Sequence, residues 1–547
     1  LETVDGMSRF FGNSEFVMKD PKANKKYLKL IQKIRLKDLA KAAKKYVNAS
    51  TITASIMTND DVKSVQPLIK KFVKDFQDIC KLKESKVDSK GAAHSKIKNT
   101  VEKTSAKTAT KSKNAKPKFD FKISGKPAVG KKSGSSDLGV DKIVLKNGAT
   151  LFLKHSEETH TVSMKAAFLG GVRAEPANLP GSVELMTRTW MGGTKKHSEQ
   201  DIGLELDSIA GGVSPMSGRN TIGLGGECLA PFQDRMAEIY FDSLVSALLP
   251  SEVSEREKLV QLEQIKSKKD NPSQLCIRHF MKMMFGEHPY SRDMLGTEES
   301  LRNIDRAALE QIYKSTVTSS NATFMLAGRF DRSLWMEKIE QAVQAMPTGK
   351  KLEKSIPIEP LKKNNFSFEE LKKEQSHLVV GYRGLKLNDK KRFTLQLMES
   401  ILSGMGGRLF SELREKHSLA YTVSPVRLDG LDGGYFGAYI GCSPEKSKKA
   451  YDLMKVEFNK LCNELVSEDE LMRAKRYLIG RHDIDLQKIS SIASAILYNE
   501  IYGVDHREVF RVVELYSPIT AQDIRDLAKE IFQSHEIISL VGPSNPF

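Results

Sequence analysis

The sequence predicts an α+β protein with mostly antiparallel sheets, in which two complete domains follow the tail of a third. Three observations support this prediction. The chain has 547 residues, which is more than one hydrophobic core normally serves. One helix–strand pattern occurs three times, and stretches of β-like alternation are interleaved with separated amphipathic helices. We therefore expect helices and strands to pack in layers within each domain.

The repeated pattern is an amphipathic helix followed by an apolar strand. Its three copies read "KIRLKDLAKAAKKYVNASTITASIMTND" from Lys33, "NIDRAALEQIYKSTVTSSNATFMLAGRFD" from Asn303 and "PITAQDIRDLAKEIFQSHEIISLVGPSN" from Pro518. Each copy has an acidic residue near the helix start, an apolar face at helical spacing and a polar break before the strand. The apolar positions are Leu39, Ala43 and Tyr46; Leu309, Ile312 and Tyr313; and Ile524, Leu527 and Ile531.

The first copy differs from the other two in what precedes it. Only 32 residues stand in front of Lys33, whereas long stretches of α/β sequence precede the other two copies. A helix and a strand at the end of a domain cannot bury their apolar faces alone. We therefore expect that Leu1 lies inside a larger protein, or that a separate chain completes this domain.

The repeat and the composition divide the chain into five parts. Residues 1–80 are the end of an upstream domain, and residues 81–138 are a flexible Lys-rich linker. Residues 139–347 form a complete domain, 348–365 a short connector and 366–547 a second complete domain. The segment 81–140 contains 16 Lys, no Arg and five acidic residues, so it supplies +11 of the net charge of +17. A polyanion-binding tail is the alternative, but the Arg and aromatic residues typical of nucleic-acid recognition are missing.

Several classes of protein and site are disfavoured by composition. No apolar run approaches the roughly 18–20 residues of a membrane helix. His155 and His160 lie five apart on a segment predicted to be extended, so we expect their rings on opposite faces and no metal site there. The compartment stays open, and the bacterial periplasm and the cytoplasm are both compatible. The cysteines lie far apart without CxxC spacing, which predicts free thiols: Cys80, Cys228, Cys276, Cys442 and Cys462.

The segment "GGRLFSELREKHSLAY", from Gly406 to Tyr421, is the strongest candidate for a site. An amphipathic run follows two glycines, and Arg414 and Tyr421 stand seven residues apart. Packing accounts for the leucines and the phenylalanine, but it does not require a guanidinium and a phenol at the end of the helix. The alternative is a surface Arg beside a packed Tyr.

The order of segments along the chain resembles the pitrilysin/insulinase-type zinc metallopeptidases, or inverzincins, with their processing-peptidase and respiratory-complex core relatives. "SILSGMGGRLFSELREKHSLAYTVSPVRLDGLDGGYFGAYIGCSPEK" and "VSEDELMRAKRYLIG" resemble the second domain of a family half. "FLGGVRAEPANLPGSVELMTRTWMGGT", "DNPSQL" and "FGEHPYSRDMLGT" resemble the first domain. Residues 1–75 resemble the end of another second domain. The resemblance covers all but the linker, and it implies the non-zinc C-terminal half of a fused two-half protein.

When the chain is matched to the family in this way, every position of the family's zinc motif holds a different residue. Counting back from the "GGT" that follows the motif, the two His positions of H-x-x-E-H fall on Glu184 and Arg188, and the general base falls on Thr187. The third ligand falls on Gln264 in "KLVQLEQIKSKKDNP". Arg188 would put a permanent cation where the dication should bind. We therefore expect residues 139–347 to be a degenerate first-type domain without zinc, and this chain alone to be inactive.

The resemblance assigns roles to the Arg/Tyr segment of the second-type domain. It implies that Tyr421 hydrogen-bonds the substrate carbonyl or the tetrahedral oxyanion, and that Arg414 holds the peptide backbone. It places Gly406 and Gly407 in a substrate-binding loop. Zinc is then expected in a partner half, upstream in the same polypeptide or on a separate chain.

Two functions of different class follow from these residues. In the first, the chain is part of a zinc metalloendopeptidase that encloses peptides or unfolded segments in a clamshell chamber, with the linker as its hinge. In the second, the chain is an inactive family member that serves as a scaffold or a peptide-binding subunit. A zinc motif in the partner half distinguishes the two.

Overall fold

The computed structural model of the chain describes residues 3–20, 22–46, 62–80, 139–352 and 355–547. The predicted linker at 81–138 and the strand of the first repeat copy lie outside the described residues. The described residues before position 81 belong to one compact unit, and those from 139 onward belong to a second. Among the helices described, none is long and apolar enough to cross a membrane.

The described part of the N-terminal unit contains four helices: α1 Val4–Met18, α2 Ala23–Ile31, α3 Leu36–Tyr46 and α4 Val62–Cys80. The first repeat copy forms α3, whose start is closed by the Asp38 carboxylate accepting the backbone N–H of Arg35 at 3.0 Å. The apolar residues of this helix are exposed, with Leu39 57% and Tyr46 67% accessible. The amphipathic face predicted from the sequence is therefore present but uncovered within the described residues.

The second unit contains two mixed sheets. The first has six strands in the order β1-β2-β6-β3-β5-β4. Its strands are β1 Asp141–Val144, β2 Thr150–His155, β3 Thr161–Leu169, β4 Gly212–Ser217, β5 Thr221–Leu229 and β6 Ala322–Gly328. The helices in the same part of the chain are α5 Ser182–Thr189, α6 Glu199–Ser208, α7 Gln233–Val245, α8 Ser251–Lys269, α9 Pro272–Phe285, α10 Glu298–Arg302, α11 Arg306–Thr316 and α12 Arg332–Ala345.

The second sheet has five strands in the order β7-β11-β8-β10-β9. Its strands are β7 Asn365–Glu370, β8 Ser376–Gly384, β9 Ala420–Leu428, β10 Gly434–Cys442 and β11 Glu536–Gly542. The accompanying helices are α13 Arg392–Leu402, α14 Ser447–Asn463, α15 Glu468–Asp485, α16 Ile489–Ile501, α17 Val512–Tyr516 and α18 Ala521–Phe532.

The predicted fold class is confirmed, including the mostly antiparallel sheets. Each sheet contains a single parallel pair, β2 with β6 in the first and β7 with β11 in the second. In both cases the parallel partner is the strand that ends a repeat copy. The preceding helices, α11 and α18, bury their repeat residues, including Leu309 and Ile524, which are inaccessible to solvent.

Each of the two sheets packs against a helix that belongs to the other half of the unit. α16 lies between β10 and β11 of the second sheet in sequence, yet its Ala493, Ile496 and Leu497 pack in one buried cluster with Phe152 and Met325 of the first sheet. In return, α9 precedes the second sheet and covers it. Its Cys276, Phe280 and Met284 pack with residues of β8 and β11, such as Val379 and Ile537. Each sheet is thus covered on one face by a helix from the other half of the unit.

A buried polar cluster also joins the two halves. The Arg173 guanidinium contacts both oxygens of the Asp432 carboxylate, with Nε donating at 2.6 Å and Nη2 at 3.1 Å. The Nε2 atom of His288 lies 3.2 Å from Asp432, and the backbone N–H of Ile356 donates to the same carboxylate. His288 belongs to a Pro-containing loop, and its ring therefore helps to hold the two halves together in this cluster.

Candidate functional site

The Arg/Tyr segment is a loop, a short helix and the start of an edge strand. Leu409, Leu413 and Leu419 are buried and anchor it to the core of the second sheet. Residues Phe410–Lys416 form a π-helix, where the sequence predicted an ordinary amphipathic helix. π-Helical turns are rare and are often found at functional sites. Ser418 then takes a left-handed conformation with φ of 48°, and the chain enters β9.

Arg414 and Tyr421 lie next to each other on the surface. The Arg414 guanidinium lies 5.4 Å from the centre of the Tyr421 ring and 4.8 Å from that of Phe410. The Tyr421 side chain is exposed, at 78% of its maximum. Neither side chain forms an ion pair or a hydrogen bond to another residue of the described ranges. A guanidinium and a phenol are therefore both available to donate to a bound group.

The glycine loop before this helix is held in place by its neighbours. The Gly407 N–H donates to the Gly404 carbonyl at 3.0 Å. A Cβ on Gly407 would lie only 2.2 Å from the Ser403 carbonyl oxygen, so this position requires glycine. Gly406 has open space on its side-chain side, and its carbonyl accepts from Arg473 of α15 at 3.4 Å.

An ion pair fixes the end of the glycine loop. The Arg408 guanidinium donates to both oxygens of Glu470 at 2.8 Å, in the bidentate geometry that suits this pair. Hydrogen bonding from Arg408 lowers the pKa of Glu470 to about 2. Glu470 also closes the N-terminus of α15 in a capping box with Ser467. Its two members are 62 residues apart, so no local pattern marks this pair.

The strand that carries Tyr421 is at the edge of its sheet. Among the described strands, β9 pairs only with β10. Its other edge therefore presents backbone N–H and C=O groups that an extended peptide could pair with. Tyr421 is the second residue of this strand.

Three of the four positions aligned with the zinc motif meet in the structure. The Arg188 guanidinium donates from Nε to Glu184 and from Nη2 to Gln264, each at 2.8 Å. Glu184 and Arg188 are one helical turn apart on α5, while Gln264 is on α8. Thr187 is not part of this cluster, because its hydroxyl donates to the Val183 carbonyl of the same helix.

Two further residues support this cluster and were not found from the sequence. The Ser217 hydroxyl, at the end of edge strand β4, donates to Glu184. Glu175 accepts the backbone N–H groups of Gly181 and Val183 at 3.0 Å and so closes the start of α5. Burial raises the pKa of Glu175 to about 8. Ser217 is 33 residues from Glu184 in sequence and meets it only in the tertiary structure, whereas Glu175 acts locally on the helix that follows it.

The donor set at the cluster does not fit a zinc ion. Zinc sites use neutral imidazole, thiolate or carboxylate ligands, whereas this cluster centres on a guanidinium that already engages Glu184 and Gln264. In the described ranges, no group of three or more His, Cys, Asp or Glu residues could hold a metal ion.

The prediction that the segment from His155 to His160 is extended is wrong. Both residues line one surface pocket, together with Glu157 and Arg329. The chain bends between the end of β2 and the start of β3, so the segment is not extended as assumed. The His155 Nε2 atom lies 2.8 Å from Glu157, which in turn pairs with Arg329.

Comparison with known proteins places this architecture in a class of peptidase-like proteins. A family model described as "Insulinase (Peptidase family M16)" matches residues 150–298. A second, described as "Peptidase M16 inactive domain", matches residues 303–478. The chain is 25% identical over 403 residues to an uncharacterized zinc protease of Rickettsia felis, covering 73% of this chain and 97% of the relative. It is 22% identical over 416 residues to an uncharacterized zinc protease of Bacillus subtilis, covering 74% and 98%.

Solved structures share the fold. A peptidase M16 inactive domain from Pseudomonas fluorescens superposes with a TM-score of 0.70 at 20% identity, over 75% of this chain and 99% of the other. A protease from Helicobacter pylori gives a TM-score of 0.70 at 15% identity, over 74% and 99%. The two family models together cover more than half of the chain. The chain therefore belongs to the M16 peptidase family and carries both of its domain types.

Proposed function

We propose that this chain is the non-zinc part of a two-half zinc endopeptidase, which encloses peptides or unfolded segments and cleaves them at a zinc ion in the other half. One observation carries the proposal. The positions aligned with the zinc ligands hold a cation bonded to Glu184 and Gln264, while Arg414 and Tyr421 present unengaged donors at the surface. Among the described residues there are thus groups that can stabilise a reacting peptide, but the positions aligned with the zinc ligands leave no room for the metal.

The proposed roles of Arg414 and Tyr421 follow from their chemistry. Attack of water on a peptide bond places negative charge on the carbonyl oxygen. A phenol O–H and a guanidinium held near that oxygen stabilise the charge without reorganisation, and each such donor contributes about 2.7–4 kcal/mol. In this proposal Tyr421 donates to the developing oxyanion, and Arg414 donates to a backbone carbonyl of the peptide.

The glycine loop and the β9 edge provide a route for the peptide. Gly406 has no neighbouring heavy atom within 4 Å of a Cβ position, so an extended chain could approach its backbone. The free edge of β9 could pair with the same peptide by strand addition. The Arg408–Glu470 pair would keep this loop in one conformation before substrate arrives.

The N-terminal unit supports the existence of a partner half. Leu39 and Tyr46 of α3 are exposed, whereas the matching repeat residues of α11 and α18 are buried. We infer that α3 packs in the complete protein against a sheet equivalent to those of the second unit. That sheet would belong to the half that carries zinc, upstream in the same polypeptide or on a separate chain.

Peptide cleavage by the complete protein tests the proposal. Tyr421→Phe removes one donor without changing the shape of the ring, and Arg414→Ala removes the other. Each variant, measured together with the zinc-bearing half, should cleave a fluorogenic peptide at least about tenfold more slowly, because each loses an oxyanion or peptide donor.

Controls separate this effect from misfolding. Arg302→Ala removes an exposed arginine of the other domain and should leave turnover within about twofold of the parent, since surface changes away from a site are usually neutral. Circular dichroism should be unchanged in all variants. Full turnover by both Tyr421→Phe and Arg414→Ala would refute the assigned roles. Absence of zinc and cleavage from the assembled protein would favour the scaffold or peptide-binding function, which the match to an inactive domain type also suits.

A further inference from the structure

A cavity of about 460 Å³ lies between the connector, the end of α9 and the second sheet. We call it the connector cavity. Met283 and Phe285 of α9 form one wall, and Ile356, Pro360 and Leu361 of the connector form another. Strands β8 and β11 contribute Arg383 and Ile537. Its size is within the range of small-molecule sites, and its walls are largely apolar.

Arg383 is the unusual residue of this cavity. Its guanidinium lies 5.1 Å from the centre of the Phe285 ring, and its Nη2 donates to the Glu359 carbonyl at 3.3 Å. Its Nη1 is buried and has no hydrogen-bond partner. Burial lowers the pKa of Arg383 to about 10. Among the described residues, no carboxylate pairs with this guanidinium.

An unpaired, partly buried guanidinium is costly, since buried charges in proteins are normally paired and hydrogen-bonded. Four other charged groups surround the cavity, and all are exposed: Glu287, Glu359, Lys362 and Lys363. The two lysine charges balance the two glutamate charges, so none of these groups neutralises the positive charge of Arg383. The His288 ring also lines the cavity, but its Nε2 atom lies 3.2 Å from Asp432.

We propose that the connector cavity binds a small organic carboxylate with an apolar body, its carboxylate paired with Arg383 and its body against Phe285 and the connector. A guanidinium recognises a carboxylate through parallel hydrogen bonds. The apolar walls offer burial to a hydrocarbon or aromatic body. This inference does not depend on the proposed peptidase function, because no residue of the cavity belongs to the Arg/Tyr segment or to the Arg188 cluster.

Occupation of the cavity would have a structural consequence. The connector forms one wall, while α9 and the second sheet form the others. A ligand bridging these walls would hold the connector against the folded unit. Bound ligand should therefore protect the exposed Lys362–Lys363 bond region from trypsin.

Calorimetric titration of the whole chain with phenylbutyrate, an aromatic monocarboxylate, tests the inference. The neutral amide, phenylbutanamide, has the same body without the charge. We expect phenylbutyrate to bind at least about tenfold more tightly than the amide, because only the acid forms a charge-assisted pair. The acid, and not the amide, should also slow tryptic cleavage at Lys362 and Lys363.

Two variants assign the effect to Arg383. Arg383→Gln should abolish the preference for the acid, whereas Lys363→Gln should keep it, because that lysine is exposed at the rim. Arg383→Gln should not lower the thermal midpoint, since it removes an unpaired charge, so failure to fold is not expected to obscure the result. Equal binding of acid and amide, binding of neither, or an unchanged preference in Arg383→Gln would each overturn the inference. A short apolar peptide with a free C-terminus, compared with its amidated form, shows whether the cavity takes the carboxylate of a peptide. Peptide binding without phenylbutyrate binding would contradict the small-ligand assignment.

Discussion

The guanidinium of Arg188 donates to the side-chain oxygen of Gln264 at 2.8 Å, across 76 residues of sequence. With the bond to Glu184 one turn earlier on α5, this contact brings together three positions that the family resemblance predicts to correspond to zinc ligands. A cation bonded to a carboxylate and an amide now joins α5 to α8.

Restoring the motif should restore metal binding. The combined substitutions Glu184→His, Thr187→Glu, Arg188→His and Gln264→Glu supply two imidazoles one turn apart and a carboxylate from α8, which is a zinc-binding set. We expect about one zinc per chain by elemental analysis after gel filtration. The variant with Arg188→His alone should bind no stoichiometric zinc, because it supplies only one new ligand. Failure of the complete set to bind zinc would show that these positions are not the ligand positions.

Unfolding of the two halves of the second unit should be coupled. Phe458 stacks on Phe532 with ring centres 4.4 Å apart, in the core of the second sheet. Phe458→Ala should destabilise that core by about 3–5 kcal/mol. Both tryptophans of the chain, Trp190 and Trp335, are buried in the core of the first sheet, so their fluorescence reports on that half.

Because α9 and α16 each cover the opposite sheet, the fluorescence transition in urea should shift to lower urea in Phe458→Ala. Leu465→Ala, which removes an exposed side chain of the same half, should leave the midpoint unchanged. An unshifted tryptophan transition in Phe458→Ala would mean that the two halves unfold independently.

The ion pair of Arg173 and Asp432 should make stability depend on pH in the acid range. Burial raises the pKa of Asp432, but hydrogen bonds from His288, Ile356 and Arg173 outweigh it, and the net pKa is lowered. A carboxyl whose folded pKa is depressed stabilises the protein above its unfolded value of about 3.9, and this contribution is lost as pH falls below that value.

Asp432→Asn should therefore lower the free energy of unfolding at pH 7 by about 3–5 kcal/mol, since it deprives a buried guanidinium of this carboxylate. Urea titrations at pH 7 and at about pH 2.5, which is below the unfolded pKa of an Asp, should show a smaller loss of stability on acidification in the variant than in the parent. An equal loss in both proteins would exclude Asp432 as a source of the pH dependence.

The Arg408–Glu470 pair should hold the glycine loop in one conformation. Glu470→Gln removes the charge-assisted hydrogen bonds and should lower the free energy of unfolding by about 1 kcal/mol after solvent screening. The pKa of Glu470 is lowered to about 2, so its contribution is present above the unfolded value near 4.3 and is lost as pH falls toward 2.

Hydrogen exchange provides the local readout for this pair. The amide of Gly407 should exchange faster in Glu470→Gln, because its bond to the Gly404 carbonyl opens more often. Lys416→Gln, which changes a charge on the exposed π-helix, should leave Gly407 exchange unchanged. Equal exchange in Glu470→Gln and the parent would show that the loop is held by other contacts.

Local patterns in the sequence determined the fold class, the helix and strand of the second and third repeat copies, and the Arg414–Tyr421 spacing. Helical periodicity at Leu309 and Ile524, and the strands that follow, are properties of neighbouring residues, and residue order alone is enough to predict them. The alternation of strands with separated helices was likewise enough to predict mostly antiparallel sheets.

Only the tertiary structure determines which helix and sheet faces pack against each other. The exchange of α9 and α16 between sheets, the Arg173–Asp432 pair and the unpaired guanidinium of Arg383 all depend on residues far apart in sequence. Such contacts form when each apolar face finds the partner that buries it best, and no local periodicity encodes that choice. The same reason explains why the spacing of His155 and His160 misled, and why the partner of Arg188 could be found only in three dimensions.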